Sequence, residues 1–224
     1  MDSVLQQFTE TKSTDAFTLQ NSKMLKVRLD RGTIQAKLGS MVAYQGDVRF
    51  EHAGSGGVGR YLKKAVTGEG TPLMKVSGSG EVFLANEAQD VHVLRLEDDR
   101  ITCNGQNVLA LGDGIDWNIQ RVQGGPAGAL AGGLFNMSLA GSGFVALVTH
   151  GPPVLLDVGS APTFTDVQAA VAWSAGVTTS LKTDVGVKTL IGRGSGETFQ
   201  VGFSGQGWVL AQPSEGVATS PPSG

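Results

Sequence analysis

Three basic side chains near the first third of the chain are its strongest candidates for binding a partner. They lie in 58–68, where apolar residues fall at positions 58, 61, 62, 65 and 66, the spacing of an amphipathic helix. Arg60, Lys63 and Lys64 occupy the opposite face, and Gly68 suits the helix end. Solvation of a helix face is the commoner reason for such charges. Because the chain has a net charge of −3, however, this cluster opposes the overall field and predicts an anionic partner.

The groups that run acid–base or metal chemistry are few and scattered. The histidines are His52, His92 and His150, and the one cysteine is Cys103. A metal site needs convergent ligands, and these residues fall in different parts of the chain. No serine elbow is followed by the required acid and histidine, and each Gly-x-Gly precedes a strand, unlike a dinucleotide fingerprint. We therefore expect no catalytic residue, no metal site and no cofactor.

One glycine motif occurs three times and organises the chain. The copies are Gly78-Ser79-Gly80, Gly141-Ser142-Gly143 and Gly205-Gln206-Gly207, spaced 63 and 64 residues apart. Glycine adopts positive φ without steric cost, so each copy predicts a chain reversal. The apolar runs on either side are short enough to be buried strands. Equivalent buried positions are predicted for two sets of residues: Val82, Val145 and Val209, and Val76, Leu139 and Phe203.

The first strands alternate between apolar and polar residues. Leu25, Val27 and Leu29 alternate with Lys26 and Arg28, which predicts a strand with one face in solvent. Met41–Tyr44 and Val48–Phe50, separated by Gln45-Gly46-Asp47, read as a hairpin. The same order of strand, hairpin and glycine motif recurs in the other two copies.

These patterns predict an all-β fold of three short-stranded antiparallel units, sandwich-like or barrel-like, around a pseudo-threefold axis, with one or more short helices in loops. A unit of about 60 residues closes no core alone, so the three must stack. The predicted organisation is an N-terminal extension (1–16), a single compact domain (17–212) and a disordered tail (213–224). The repeats extend over about 17–88, 89–151 and 152–212.

Composition excludes several classes of protein. The 33 glycines are typical of tight turns between short strands. One cysteine excludes an internal disulfide. No apolar run approaches the ~20 residues that span a bilayer, and the first residues do not resemble a secretory signal. We expect a cytoplasmic protein.

The order of these motifs resembles a known family. Leu25–Leu29, the Met41–Tyr44 hairpin, the glycine-rich loop ending in Gly68-Glu69-Gly70 and Ser77–Val82 are similar to the altered inheritance of mitochondria protein 24 family, over Phe17–Gln212. The resemblance implies a β-rich fold of repeated units similar to the trp RNA-binding attenuation protein subunit. It implies a poorly defined molecular function, although the mitochondrial member is associated with inner-membrane organisation. Here, acidic residues Asp2 and Glu10 stand where a transit peptide carries arginine.

The function that these observations favour is that of a non-enzymatic binding or scaffold protein, acting through surface contacts with an unknown protein partner and in homo-oligomeric assemblies. Two alternatives remain open. Fold analogy favours nucleic-acid binding, but analogy is a weak warrant and the acidic balance opposes it. The basic helix favours peripheral contact with an anionic membrane surface instead.

Overall fold

The computed structural model describes residues 3–51, 72–121, 135–182 and 200–214. Within these ranges the chain is almost entirely β-structure, in antiparallel sheets, so the predicted all-β class is confirmed. The α-helix found there, α1 (Ser3–Gln6), has four residues, and no helix of the described ranges is long and apolar enough to cross a membrane.

The strands have the following bounds. The first eight are β1 (Phe17–Asn21), β2 (Met24–Lys37), β3 (Met41–Glu51), β4 (Leu73–Leu84), β5 (Asp90–Asn104), β6 (Val108–Leu111), β7 (Ile115–Arg121) and β8 (Phe135–Thr149). The remaining six are β9 (Val154–Asp157), β10 (Thr163–Asp166), β11 (Ala170–Ser174), β12 (Val177–Lys182), β13 (Gln200–Gly205) and β14 (Trp208–Ala211). A 3-10 turn, Gly105–Asn107, joins β5 to β6.

The chain folds into two compact units. Unit 1 takes Met1–Asp98, Val108–Ile115 and Gly141–Val148, and unit 2 takes Asp99–Asn107, Asp116–Ala140 and Thr149–Gly224. Strands β5 and β8 each contribute residues to both units.

Unit 1 is an antiparallel sheet in the order β3-β4-β2-β6-β8, with β1 added to β2. Its core is built from the inward positions of the alternating strands, as the period of two predicts. Leu25, Val27, Val76 and Val82 have no exposed surface. Phe17 stacks on Phe144 with ring centroids 5.6 Å apart and closes one side of this core.

Unit 2 contains the strand order β5-β11-β14-β9 and a separate three-stranded sheet, β10-β13-β12. Trp173 and Phe203 meet edge to face in its core, with ring centroids 5.5 Å apart and an interplanar angle of 66°. Val209 is fully buried beside them. An aromatic pair of this geometry contributes beyond the area that it buries.

The glycine motifs form bends at which the backbone comes into close contact with a neighbouring strand or turn. Gly78, Gly141 and Gly205 have φ of 132°, 122° and 115°. A Cβ at any of the three would collide with a backbone carbonyl oxygen, that of Asp47, Gly114 or Gly176. Only glycine fits both the torsion and the approach. The chain reversals predicted from the sequence are wrong for the first two copies, because β4 and β8 continue through the motif and only bend there.

The residue between the two glycines caps a second bend in unit 1. The Ser79 hydroxyl oxygen accepts a hydrogen bond from the Arg31 N–H at 3.1 Å, and the Ser142 hydroxyl oxygen accepts one from the Asp98 N–H at 2.9 Å. Arg31 and Asp98 both have φ of 51°, an uncommon torsion for a side-chain-bearing residue. Each serine therefore stabilises a left-handed residue within a long strand.

The residues predicted to be buried around these bends are buried. Val82, Val145 and Val209 have no exposed surface, and neither do Val76 and Leu139. Phe203 is 3% exposed. The superposition of the three copies on a threefold axis stays a prediction.

Candidate functional site

The basic cluster predicted to bind a partner, Arg60, Lys63 and Lys64, lies outside the described residues. The two strand ends that flank it are described. Glu51 ends β3, and Lys75 lies opposite it on β4, with 3.4 Å between the Lys75 ammonium and the Glu51 carboxylate. Both side chains are about half exposed, so this ion pair contributes little stability.

Among the described residues, the structure does not bring the candidate metal or acid–base groups together. His92 lies on β5, where burial lowers the pKa of its imidazole. His150 follows β8 and donates its backbone N–H to the Gln212 side-chain oxygen at 3.0 Å. His52 lies outside the described residues. No group of three His, Cys, Asp or Glu side chains in the described ranges is placed to hold a metal ion.

Cys103 is an inert core residue. It has no exposed surface, and its thiol donates to the carbonyl oxygen of Met137 at 3.6 Å. Burial raises the pKa of the thiol to about 12, so it stays protonated at neutral pH. A reactive cysteine needs an exposed thiolate, and Cys103 has neither property.

The sequence missed a buried ionic latch on the outer face of unit 1. Lys26 was predicted to face solvent, but its side chain is only 5% exposed. Its ammonium contacts the carboxylates of Glu10 at 2.8 Å and Glu81 at 2.9 Å, and donates to the Thr11 carbonyl oxygen at 2.9 Å. All three ammonium hydrogens are therefore used. Glu10 and Thr11 come from the N-terminal extension, which covers Lys26.

The electrostatics of the latch keep it charged. Hydrogen bonding to Lys26 holds the pKa of the Glu10 carboxyl below its ordinary value. Burial opposes the charged form of Lys26, but its hydrogen bonds to Glu10 and Glu81 outweigh that effect and raise the pKa of the ammonium. A lysine held in this state is no nucleophile or base. The latch is therefore a means of fixing the extension in place.

A second attachment fixes the same segment. The Gln20 side chain on β1 accepts from the Thr11 N–H at 2.8 Å and donates to the Thr9 carbonyl oxygen at 3.2 Å. An open cavity of about 790 Å³ lies alongside. Polar side chains line it: Thr9, Glu10, Thr11, Lys12, Ser13, Thr14, Lys26 and Glu81. We call residues 3–14, held at this end by the latch, the arm.

The free end of the arm presents apolar side chains to solvent. Val4 and Leu5 lie on α1 and are 59% and 56% exposed, and Phe8, just beyond it, is 70% exposed. Two turn hydrogen bonds, from the Phe8 N–H to Leu5 and from the Thr9 N–H to Gln6, continue the helical geometry after α1. We call Val4, Leu5 and Phe8 the arm patch.

A second apolar surface of unit 1 lies on β3. Tyr44 and Phe50 meet edge to face with ring centroids 5.3 Å apart. Six residues of straight strand extend over about 20 Å, so β3 bends, and it does so around Gly46, whose φ is 96°. Phe50 packs against the core, whereas Val42 and Tyr44 remain 54% and 49% exposed. We call Val42 and Tyr44 the rim.

Unit 1 therefore carries most of the exposed apolar surface. Of the eleven large apolar side chains that are exposed in the described residues, eight lie in unit 1 and three in unit 2. Sequence reasoning missed the arm patch because Val4, Leu5 and Phe8 are not part of a longer periodic pattern of apolar residues. It missed the rim because Met41–Tyr44 and Val48–Phe50 were predicted to form a hairpin. That prediction is wrong, since β3 continues from Met41 to Glu51 and bends at Gly46 without reversing.

The fold and its exposed surfaces define an all-β protein of antiparallel sheets with strongly bent strands. Comparison with known families identifies it further: the chain belongs to the family described as Mitochondrial biogenesis AIM24, which matches residues 17–214. This confirms the resemblance recognised in the sequence. The likeness to the trp RNA-binding attenuation protein stays a prediction.

A solved structure supports the fold. The crystal structure of protein SPYM3_0169 from Streptococcus pyogenes aligns with a TM-score of 0.72 at 22% identity, covering 88% of this chain and 92% of that chain. At that identity the likeness shows the fold alone. No curated protein matches the sequence.

Proposed function

We propose that this protein is a non-enzymatic binding or scaffold protein that works through surface contacts, in assemblies with copies of itself and with an unknown protein partner. The observation that carries the proposal is the concentration of exposed apolar side chains in unit 1. A folded chain rarely leaves large apolar groups together in water unless another surface covers them. The arm patch and the rim are therefore the first candidates for contact surfaces.

The latch supports the same proposal. An exposed apolar segment on a loose tail is costly to order on binding. The arm is held at its base by Lys26 and Gln20, so part of that entropy is already lost in the free protein. This arrangement favours binding through the arm patch.

Two finer statements belong to the proposal. We propose that the chain consists of three copies of one β unit with the chain order predicted above. The matching hydrogen bonds from Arg31 to Ser79 and from Asp98 to Ser142 support this for the first two copies. We also propose that Arg60, Lys63 and Lys64 form a second contact surface, for an anionic partner.

The apolar surfaces are tested by a paired capture experiment. The wild-type protein and the double variant Phe8→Asp/Val42→Asp are immobilised and exposed to native lysate. We expect proteins retained by the wild type to be lost with the double variant. Leu155→Asp is the matched control, because Leu155 is 63% exposed on β9 of unit 2. Identical retention by all three proteins would remove the apolar surfaces from the proposal.

The basic cluster is tested separately. Arg60, Lys63 and Lys64 are changed together to Glu, and binding to captured partners and to anionic vesicles is measured at low salt. Each exposed contact with an anionic surface contributes on the order of 1 kcal/mol, so the triple change should abolish any binding that rests on it. Wild-type binding should also fade as salt rises. Unchanged binding, with an intact circular dichroism spectrum, would leave these residues solvated without a partner.

A further inference from the structure

We propose that two copies of this chain associate by exchanging arms: the arm patch of each copy docks on the rim of the other. The proposal rests on the proposed function and names the partner of its apolar surfaces, a second copy. Both surfaces belong to unit 1 of the same chain. Two such contacts related by a twofold axis make a closed, isologous dimer.

The first argument is that neither surface is covered by the part of the chain that the structure describes. Phe8 is 70% exposed although Thr11 of the same arm is hydrogen-bonded to Lys26. Val42 is 54% exposed although Phe50 of the same strand packs on the core. If the arm patch covered the rim of its own chain, both would be buried. In a dimer the arm patch of each copy covers the rim of the other, so both surfaces are buried.

The second argument is the chemistry of the two surfaces. The arm patch offers an aromatic and two aliphatic side chains, and the rim offers an aromatic and a β-branched one. The charged side chains of the N-terminal extension, Asp2, Glu10, Lys12 and Asp15, are mixed in sign, so nothing there selects an anionic lipid surface. Apolar side chains bordered by mixed charge are what protein interfaces use.

The third argument is area. Each copy contributes five half-exposed side chains, so the dimer contributes ten. The usual transfer free energy of a buried apolar side chain corresponds to about 60 Å² of apolar surface, which gives roughly 600 Å² in total. The smallest specific interfaces bury about 1,200 Å² in total, of which somewhat over half, roughly 700 Å², is apolar. The two values are close. Exchange of two arms therefore gives a small, reversible dimer, and one contact alone buries half as much apolar surface and associates more weakly.

The test uses the full chain and two variants that each lack one surface. Phe8→Asp removes the arm patch, and Val42→Asp removes the rim. Molecular mass is measured by sedimentation equilibrium between roughly 1 and 300 μM, the range in which interfaces of this size associate. We expect the wild type to dimerise and each variant alone to be at least tenfold weaker, because each loses both contacts of the symmetric pair.

Mixing the two variants makes the test specific. A Phe8→Asp copy keeps an intact rim, and a Val42→Asp copy keeps an intact arm patch, so the mixture restores one contact. Mixed dimers, detected by energy transfer between differently labelled variants, should exceed the self-association of either variant. Leu155→Asp should dimerise as the wild type does, because Leu155 belongs to unit 2. Circular dichroism confirms that the variants fold.

The outcomes separate this proposal from the proposed function. A wild type that stays monomeric at 300 μM, or a mixture that gains no heterodimer, overturns arm exchange. If lysate capture still depends on Phe8 and Val42 in that case, the surfaces bind a different protein and the proposed function stands. If dimerisation follows the expected pattern while capture is unchanged, arm exchange stands and the apolar surfaces serve self-association only.

Discussion

The glycine bend of unit 1 at Gly78–Gly80 and that of unit 2 at Gly205–Gly207 share their backbone geometry but differ in the side chain between the two glycines. Both have positive φ at each glycine, and at both the first glycine lies against a backbone carbonyl oxygen, that of Asp47 in β3 or that of Gly176 in the turn after β11. In unit 1 the residue between the glycines, Ser79, accepts a hydrogen bond from Arg31. In unit 2 that position holds Gln206, whose side chain lies against Gly159.

The difference teaches which part of the motif is indispensable. The torsion and the close approach depend on the absence of a Cβ, which no other residue reproduces. The middle residue acts through one side-chain contact, and serine and glutamine provide different ones. In the first copy that contact supports Arg31 in a left-handed conformation, whereas in the third the Gln206 side chain lies beside Gly159, whose φ is not positive. Three variant series test this ranking, from the largest effect to the smallest.

The largest effect is expected beyond the bends, at the valine that follows each one. Val82→Asp in unit 1 and Val209→Asp in unit 2 would each place an unpaired carboxylate where no surface is exposed. We expect each to lose at least about 4 kcal/mol of unfolding free energy or to fail to fold. Val145→Asp should behave alike, since Val145 is also fully buried. Urea denaturation measures the effect, and a cooperative transition at the wild-type midpoint for any of the three would contradict it.

The second effect concerns the first glycine of each motif. Gly78→Ala and Gly205→Ala should each cost roughly 3 kcal/mol, because the new methyl group meets both a disfavoured torsion and a backbone oxygen. Gly39→Ala is the matched control: Gly39 also has positive φ, at 80°, but a Cβ there meets nothing within 4 Å. Its cost should be about 1 kcal/mol, the torsional part alone.

The comparison of these three glycine variants isolates close approach from torsion. Thermal and urea unfolding give the three free energies. If Gly39→Ala proves as destabilising as Gly78→Ala, the backbone contact with Asp47 contributes nothing and the motif is explained by torsion only.

The smallest effect separates the two middle residues. Ser79→Ala should lose about 1 kcal/mol, because the Arg31 N–H loses its acceptor in a left-handed residue that it helps to stabilise. Gln206→Ala should change the unfolding free energy by less than about 0.5 kcal/mol, since the Gln206 side chain is exposed. Equal losses at the two positions would show that the middle residue matters equally in both bends.

Local chemistry explains why much of the fold could be read from the sequence. Alternation in β2 placed Leu25, Val27 and Leu29 on one face, and all three are buried. The Gly-x-Gly motif located positions of special backbone geometry, because the constraint on a glycine is imposed by its immediate backbone, but β4 and β8 bend there and do not reverse as predicted. The buried valines were found for the same reason, since they follow the bend at a constant spacing. Each of these inferences needs only residues that are close in sequence.

The candidate site depends on residues far apart in the chain, and there sequence reasoning was incomplete. Alternation placed Lys26 in solvent, but its partners Glu10 and Glu81 come from 16 residues before it and from another strand. The sequence around Lys26 does not indicate that the N-terminal extension folds back over β2. The one functional surface that the sequence did propose, Arg60, Lys63 and Lys64, stays a prediction.

By itself the sequence determined the all-β class, the family, the glycines of special backbone geometry and the valines that must be buried, because backbone sterics and a period of two act over a few residues. Tertiary structure alone decided that Lys26 is buried between two carboxylates, that the bend at Gly46 brings Tyr44 to Phe50, and that the arm patch and the rim are left in solvent. Burial is a property of what covers a residue. Where the covering segment is distant in the chain, or belongs to another copy, the local sequence pattern does not predict that the residue is buried.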